Sequence, residues 1–121
     1  MKITGDPIHF VTAQEWRNWL EGNHATEVGV WLMIYKRHSE TVSVTVDQAV
    51  EEALCFGWID SSMQPIDEDR YALRFTPRRK GSNWSERNKA RVATLIEEGR
   101  MTEAGLAEIE EAKRSGRWDG R

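Results

Sequence analysis

The residues best suited to chemistry lie between Arg74 and Arg91, where the sequence reads RFTPRRKGSNWSERNKAR. A short Gly/Ser loop follows the first basic residues, and Ser85 then has the position of a helix N-cap. Free backbone N–H groups and the positive end of the dipole make a helix start attractive to anions. The arginines add charge, and Trp84 could stack on a ring or a base. The stretch predicts a site for an anionic small molecule or a phosphate backbone.

A second interpretation gives the same stretch a structural role only. In this structural interpretation, Trp84 belongs to the core, Ser85 is only a helix cap, and the arginines neutralise an acidic loop at 67–69. The charge pattern fits both interpretations, because 40–69 contains eight acidic and no basic residues, whereas 70–91 contains eight basic residues and one acid. Both hypotheses remain open on the sequence alone.

Asp60 offers a different chemistry. If buried, this carboxylate could act as a general acid or base, with Arg74 or Lys36 stabilising developing negative charge. A carboxylate in a strand is more often an ion-pair partner, and Arg74 on the facing strand lies within cross-strand reach. An enzyme of unknown reaction is therefore the alternative to a binding protein.

The cysteine and the histidines predict neither redox nor metal chemistry. Cys55 is the only cysteine, and it falls in the last turn of a predicted helix, where the dipole disfavours a thiolate. We expect it to be a small buried residue. His9, His24 and His38 lack metal-ligand spacing, and the sequence has no phosphate-binding glycine loop of the Walker or dinucleotide type. We therefore expect no metal and no cofactor.

Length and composition indicate a single globular domain over 1–121. The chain has a mass of 14.0 kDa, with 39% hydrophobic and 31% charged residues, which is typical of a folded domain. It has no apolar run long enough for a membrane span, and its start, MKITGDPIHFVTAQEW, lacks the apolar segment of a signal peptide. These features predict a cytoplasmic protein. A pI near 5.6 disfavours a nucleic-acid partner.

Hydrophobic periodicity predicts the elements that position these residues. The predicted order is a helix from 13 to 22, a strand over 28–35, a helix from 46 to 56, strands over 58–63 and 70–76, and helices after Ser85 and Thr102. The strand over 28–35 is expected to be central, and it would cross over right-handed to 58–63 if the two were parallel neighbours. The fold class predicted is α+β: a small three- to four-stranded mixed sheet with helices packed on it and a C-terminal helix pair.

Several long motifs resemble the bacteriocin-protection family, also called YdeI or OmpD-associated. They are ALCFGWIDS (53–61), RFTPRRKGSNWSERN (74–88), GVWL…YK (29–36), WRNWL (16–20) and GRM…AK…GRW (99–118). The resemblance covers nearly the whole chain. It implies protection against bacteriocins and cationic antimicrobial peptides, association with an outer-membrane porin and a periplasmic location. The lack of an export signal departs from that location.

The positions that match these motifs supply the candidate site. Their polar or aromatic side chains, at a strand end, on a hairpin and at a helix start, are expected to converge on one pocket: Lys36, Asp60, Arg74, Arg78, Trp84, Ser85 and Asn88. The family offers no established catalytic residues to carry over. We therefore predict a non-enzymatic protein that binds an anionic ligand or a protein partner in a setting of stress or antimicrobial-peptide resistance. The oligomeric state stays unspecified.

Overall fold

The computed structural model describes residues 5–119. Within that range the elements follow the order α1 (Ala13–Asn23), β1 (Val30–Tyr35), α2 (Val46–Cys55), β2 (Trp58–Pro65), β3 (Arg70–Pro77), α3 (Glu86–Glu97), α4 (Glu103–Arg114) and a short 3-10 turn (Arg117–Asp119). This is an α+β fold with two C-terminal helices, as the hydrophobic pattern predicts. None of these helices is both long and apolar enough to cross a membrane.

The sheet has three strands in the order β1-β3-β2, and both pairings are antiparallel. The central strand is therefore β3, not the strand predicted over 28–35. The segment before α1 adds one parallel bridge, between Ile8 and Leu32, on the far side of β1. Because the short connection at 66–69 pairs β3 with β2, the other edge of β3 is left for β1. β1 and β2 are thus not neighbours, and the predicted crossover between adjacent strands does not occur.

Each helix begins at the residue that the sequence predicts as its N-cap. The cap hydroxyl accepts a hydrogen bond from the backbone N–H three residues later at Thr12, Thr45, Ser85 and Thr102. Thr45 and Gln48 complete a reciprocal capping box. A cap of this kind contributes about 1 kcal/mol. Because Ser and Thr are preferred at this position, the helix starts can be located from the sequence.

The core fills the sheet face that carries Leu32, Leu73 and Phe75, and the helices cover it. Trp16 is fully buried, and its Nε1 donates a hydrogen bond to the carbonyl of Ala49 at 3.0 Å. α4 crosses so close to the end of α2 that a Cβ on Gly105 would lie 2.5 Å from the Cys55 carbonyl oxygen. The core therefore fixes the hairpin and the C-terminal helices relative to one another.

Candidate functional site

A cleft of about 290 Å³ lies between the end of the β2–β3 hairpin and the first turn of α3. We call it the hairpin–α3 cleft. Its lining residues are Ile59, Ser61, Thr76, Pro77, Arg78, Arg79, Ser82, Asn83, Ser85 and Asn88. Three of the predicted site residues, Arg78, Ser85 and Asn88, are thus brought together.

Arg78 is held in place on one side of this cleft. Its guanidinium lies 4.0 Å from the centroid of the Trp84 ring. Nη2 donates hydrogen bonds to Oγ of Ser82 and to the carbonyl oxygen of Asn83, both at 3.1 Å. Burial lowers the pKa of Arg78, and the charge of Glu108 opposes that shift. Arginine stays protonated in proteins, so the cleft contains a positioned cation.

Trp84 supports Arg78 and does not open onto the cleft. It is 6% exposed and belongs to the core. Its other ring neighbour is Trp118, with the ring centroids 5.2 Å apart. The structural interpretation of Trp84 is therefore the better one, and the ring is not available to stack on a base or a sugar.

The basic residues at 74–80 are not neutralised by the acidic loop. There are four of these residues, and within residues 5–119 no carboxylate oxygen lies within 4.0 Å of a side-chain nitrogen of Arg74, Arg78, Arg79 or Lys80. The other four basic residues of 70–91 do form ion pairs, Arg70 with Asp67, Lys89 with Glu86, and both Arg87 and Arg91 with Asp47. Of the eight basic residues only Arg70 pairs with the acidic loop at 67–69, so the structural interpretation does not account for the arginines at 74–79.

The start of α3 adds hydrogen-bond donors to the lining. Oγ of Ser85 accepts from the backbone N–H of Asn88 at 3.1 Å, so its own O–H remains to donate. Next to the lining, the N–H groups of Glu86 and Arg87 have no intrahelical acceptor, because the carbonyls four residues earlier lie outside α3. The sequence identifies these groups because they follow directly from the N-cap.

Arg74 lines a second, adjoining cleft of about 670 Å³, which we call the outer cleft. Its lining residues are Glu27, Val28, Ser61, Ser62, Arg74, Thr76, Pro77 and Arg79. The Arg74 guanidinium lies 5.7 Å from the centroid of the Trp31 ring. Sequence reasoning misses Ser61, Ser62 and Thr76, because their part in this lining depends on how the hairpin lies against the segment before β1.

Lys36 and Asp60 do not join either cleft. Lys36 lies in a separate pocket with Tyr35 and Tyr71. Asp60 is exposed, and its register partner is Phe75. Within the described residues the predicted ion pair between Asp60 and Arg74 does not form, because successive strand residues point to opposite faces and the register shifts just after Asp60.

The positions of Asp60, Arg74 and Lys36 therefore do not suit acid–base catalysis. Asp60 is neither buried nor in a pocket shared with Arg74 or Lys36. A general acid or base must lie within reach of a bound substrate and close to the groups that assist it. These three residues do not form such a site.

Cys55 has the structural role that the sequence predicts. It is a free thiol buried in the core, and burial raises its pKa above the usual thiol value. Across residues 5–119, no group of three or more His, Cys, Asp or Glu side chains could hold a metal ion.

Fold and cleft together define a small α+β protein in which Arg78 and Arg79, beside the start of α3, have no carboxylate oxygen within 4.0 Å in the part of the chain that the structure describes. Residues 8–108 match the model of a family described as a domain of unknown function (DUF8412), and the chain belongs to that family. No curated protein and no solved structure matches the chain. The resemblance to the bacteriocin-protection family therefore stays a prediction.

Proposed function

We propose that this protein is a non-enzymatic binding protein for a small anion, held in the hairpin–α3 cleft. The observation that carries the proposal is the pair Arg78 and Arg79, which line the cleft with no carboxylate within 4.0 Å among the described residues. This occurs in a chain whose net charge is −3, so the fold does not lack acids to pair with them. A bound oxyanion would supply the counter-charge.

An oxyanion suits the lining chemically. A guanidinium presents planar N–H donors that match carboxylate, sulfate or phosphate oxygens. Arg78 is already held by Trp84 and Ser82, so little side-chain freedom is lost on binding. The Ser85 hydroxyl and the first amides of α3 add neutral donors, as at other anion-binding helix starts.

We place this binding in a setting of stress or antimicrobial-peptide resistance, on the resemblance described above. In support, Arg78, Ser85 and Asn88, which match the motifs of that family, all line this cleft. Cells carrying wild-type protein or Arg79→Gln would differ in sensitivity to a cationic antimicrobial peptide if the cleft serves that role. Equal sensitivity would contradict the setting.

Calorimetric titration of inorganic phosphate and sulfate at low salt tests the binding itself. Arg79 is exposed, so Arg79→Gln should leave the fold intact and weaken binding about tenfold, as expected for one charged hydrogen bond. Arg78→Gln should weaken it at least as much. Raising the salt concentration should weaken wild-type binding.

Lys36→Gln is the matched control, because it removes the same charge from a separate pocket. We expect its affinity to stay within about twofold of wild type, since screened charges at a distance contribute little. Equal weakening by Lys36→Gln and Arg79→Gln would mean that net charge alone attracts the anion. That result, or no binding at all, would contradict the proposal.

A further inference from the structure

We infer that the ligand is a linear polyanion of the polyphosphate class, lying along the end of β3 across both clefts. This inference rests on the proposed function and extends it from a single oxyanion to a chain of repeated phosphate groups. It assigns Arg74 and the outer cleft to the binding site.

The two clefts form one continuous groove. They share Ser61, Thr76, Pro77 and Arg79. Arg78 lines only the hairpin–α3 cleft. It lies four positions beyond Arg74, which at about 3.3 Å per residue gives about 13 Å. A single phosphate cannot contact both ends of such a groove, whereas a chain of phosphates can.

Both ends of the groove are built in the same way. Arg78 lies over Trp84, and Arg74 lies over Trp31. Both rings are buried, at 6% and 3% exposure. Each arginine is thus held by an aromatic face and not by an acid, which fixes its position and leaves its charge available.

Gly29 makes room for the arginine in the outer cleft. A Cβ at Gly29 would lie 2.5 Å from Nη2 of Arg74. The guanidinium therefore occupies space that any other residue at 29 would fill. The missing Cβ at Gly29 thus leaves room for the Arg74 guanidinium in the outer cleft.

The lining favours phosphate groups over nucleic acid. Five hydroxyl side chains lie along the groove: Ser61, Ser62, Thr76, Ser82 and Ser85. No aromatic side chain is part of either lining, whereas proteins that bind single strands stack bases on aromatic rings. Glu27 is the one carboxylate in the two linings, and it would oppose an anion in the outer cleft.

The test compares inorganic phosphate, tripolyphosphate and a long polyphosphate by calorimetry. Arg74→Gln should weaken the long chain about tenfold and leave inorganic phosphate within about twofold, because only the chain reaches the outer cleft. Arg79→Gln should weaken both ligands. Glu27→Gln should strengthen binding of the long chain by a few-fold. Arg37→Gln, at an exposed arginine in the separate pocket with Lys36, should change neither ligand beyond about twofold.

The outcomes separate the two proposals. If phosphate binds and depends on Arg79, but Arg74→Gln leaves polyphosphate affinity unchanged, the extended ligand is wrong and the small-anion site stands. If no anion binds, both fail. Tighter binding of a single-stranded oligonucleotide than of a polyphosphate with equal charge, at the same salt, would overturn the ligand class. Thermal melting of each variant confirms that the fold is intact.

Discussion

Arg74 and Arg78 each lie over a buried indole, and among residues 5–119 neither guanidinium has a carboxylate oxygen within 4.0 Å. Such cation–π contacts stabilise a side chain by about 0.5–2 kcal/mol, depending on its exposure. They position the guanidinium and leave its N–H donors unused by carboxylates. At the residue scale, this is what makes the groove receptive to anions.

Glu108 on α4 provides a pH test of the same region. Burial raises its pKa, and Arg78 partly opposes that shift. A carboxyl whose folded pKa lies above its unfolded pKa stabilises the protein below the unfolded value, and this contribution is lost as pH rises through the folded pKa. We expect Glu108→Gln to remove that loss.

Urea denaturation of both proteins, from the usual glutamate pKa up to neutral pH, measures this effect. The free energy of unfolding of wild type should fall relative to that of Glu108→Gln as pH rises. Glu110→Gln, at an exposed glutamate of the same helix, serves as the control and should run parallel to wild type. Parallel curves for Glu108→Gln as well would contradict the assignment.

The predicted site residues that the structure brings together are close to one another in the sequence. Arg78, Ser85 and Asn88 meet because a short loop and a helix cap join them in sequence. Lys36 and Asp60 required knowledge of which strands pair and in what register. Neither the pairing nor the register can be read from the pattern of single strands, and the structure places both residues outside the two clefts.

At the scale of elements, the caps and the hydrophobic periods locate the helices and strands, whereas the strand order is not encoded locally. The apolar segment at 28–35 predicts a strand covered on both faces, and Trp31, Leu32 and Ile34 are indeed buried. The same pattern does not say that β3 lies between β1 and β2. That follows from the hairpin and from packing of the helices on one face.

The buried carboxylate of Glu52 links α2 to α1 and to the α3–α4 connection. Glu52 on α2 is 6% exposed and accepts hydrogen bonds from Nη1 of Arg17 on α1 at 2.9 Å and from Nη2 of Arg100 in the α3–α4 connection at 2.7 Å. Removing a charge from a buried pair leaves its partners uncompensated. The network therefore ties α1 and α2 to the connection that follows α3.

We expect Glu52→Gln to lower the free energy of unfolding by about 2–3 kcal/mol, less than for a fully buried pair because both arginines are partly exposed. Glu51→Gln is the control, since Glu51 lies 3.8 Å from Arg100 with its side chain 36% exposed. It should cost no more than about 0.5 kcal/mol. Similar losses in urea denaturation of the two variants would show that Glu52 has no special role.

At the scale of the whole molecule, the net charge is −3, yet the basic residues are concentrated in 70–91. In a chain with 20 acidic and 17 basic residues, Arg74, Arg78 and Arg79 line the two clefts and, among residues 5–119, have no carboxylate oxygen within 4.0 Å. Steering by the overall field is weak for a protein of this net charge, so affinity must come from short-range contacts in the groove. Sequence composition alone could not show this, because it depends on which cations find carboxylates after folding.

Backbone amide chemical shifts recorded during a phosphate titration show directly whether an anion binds in the hairpin–α3 cleft. We expect saturable shifts concentrated between Thr76 and Asn88, including the first amides of α3 at Glu86 and Arg87, with a weaker apparent affinity in Arg79→Gln. Shifts of equal size around Lys36, or shifts that Arg79→Gln leaves unchanged, would contradict an anion site in the hairpin–α3 cleft.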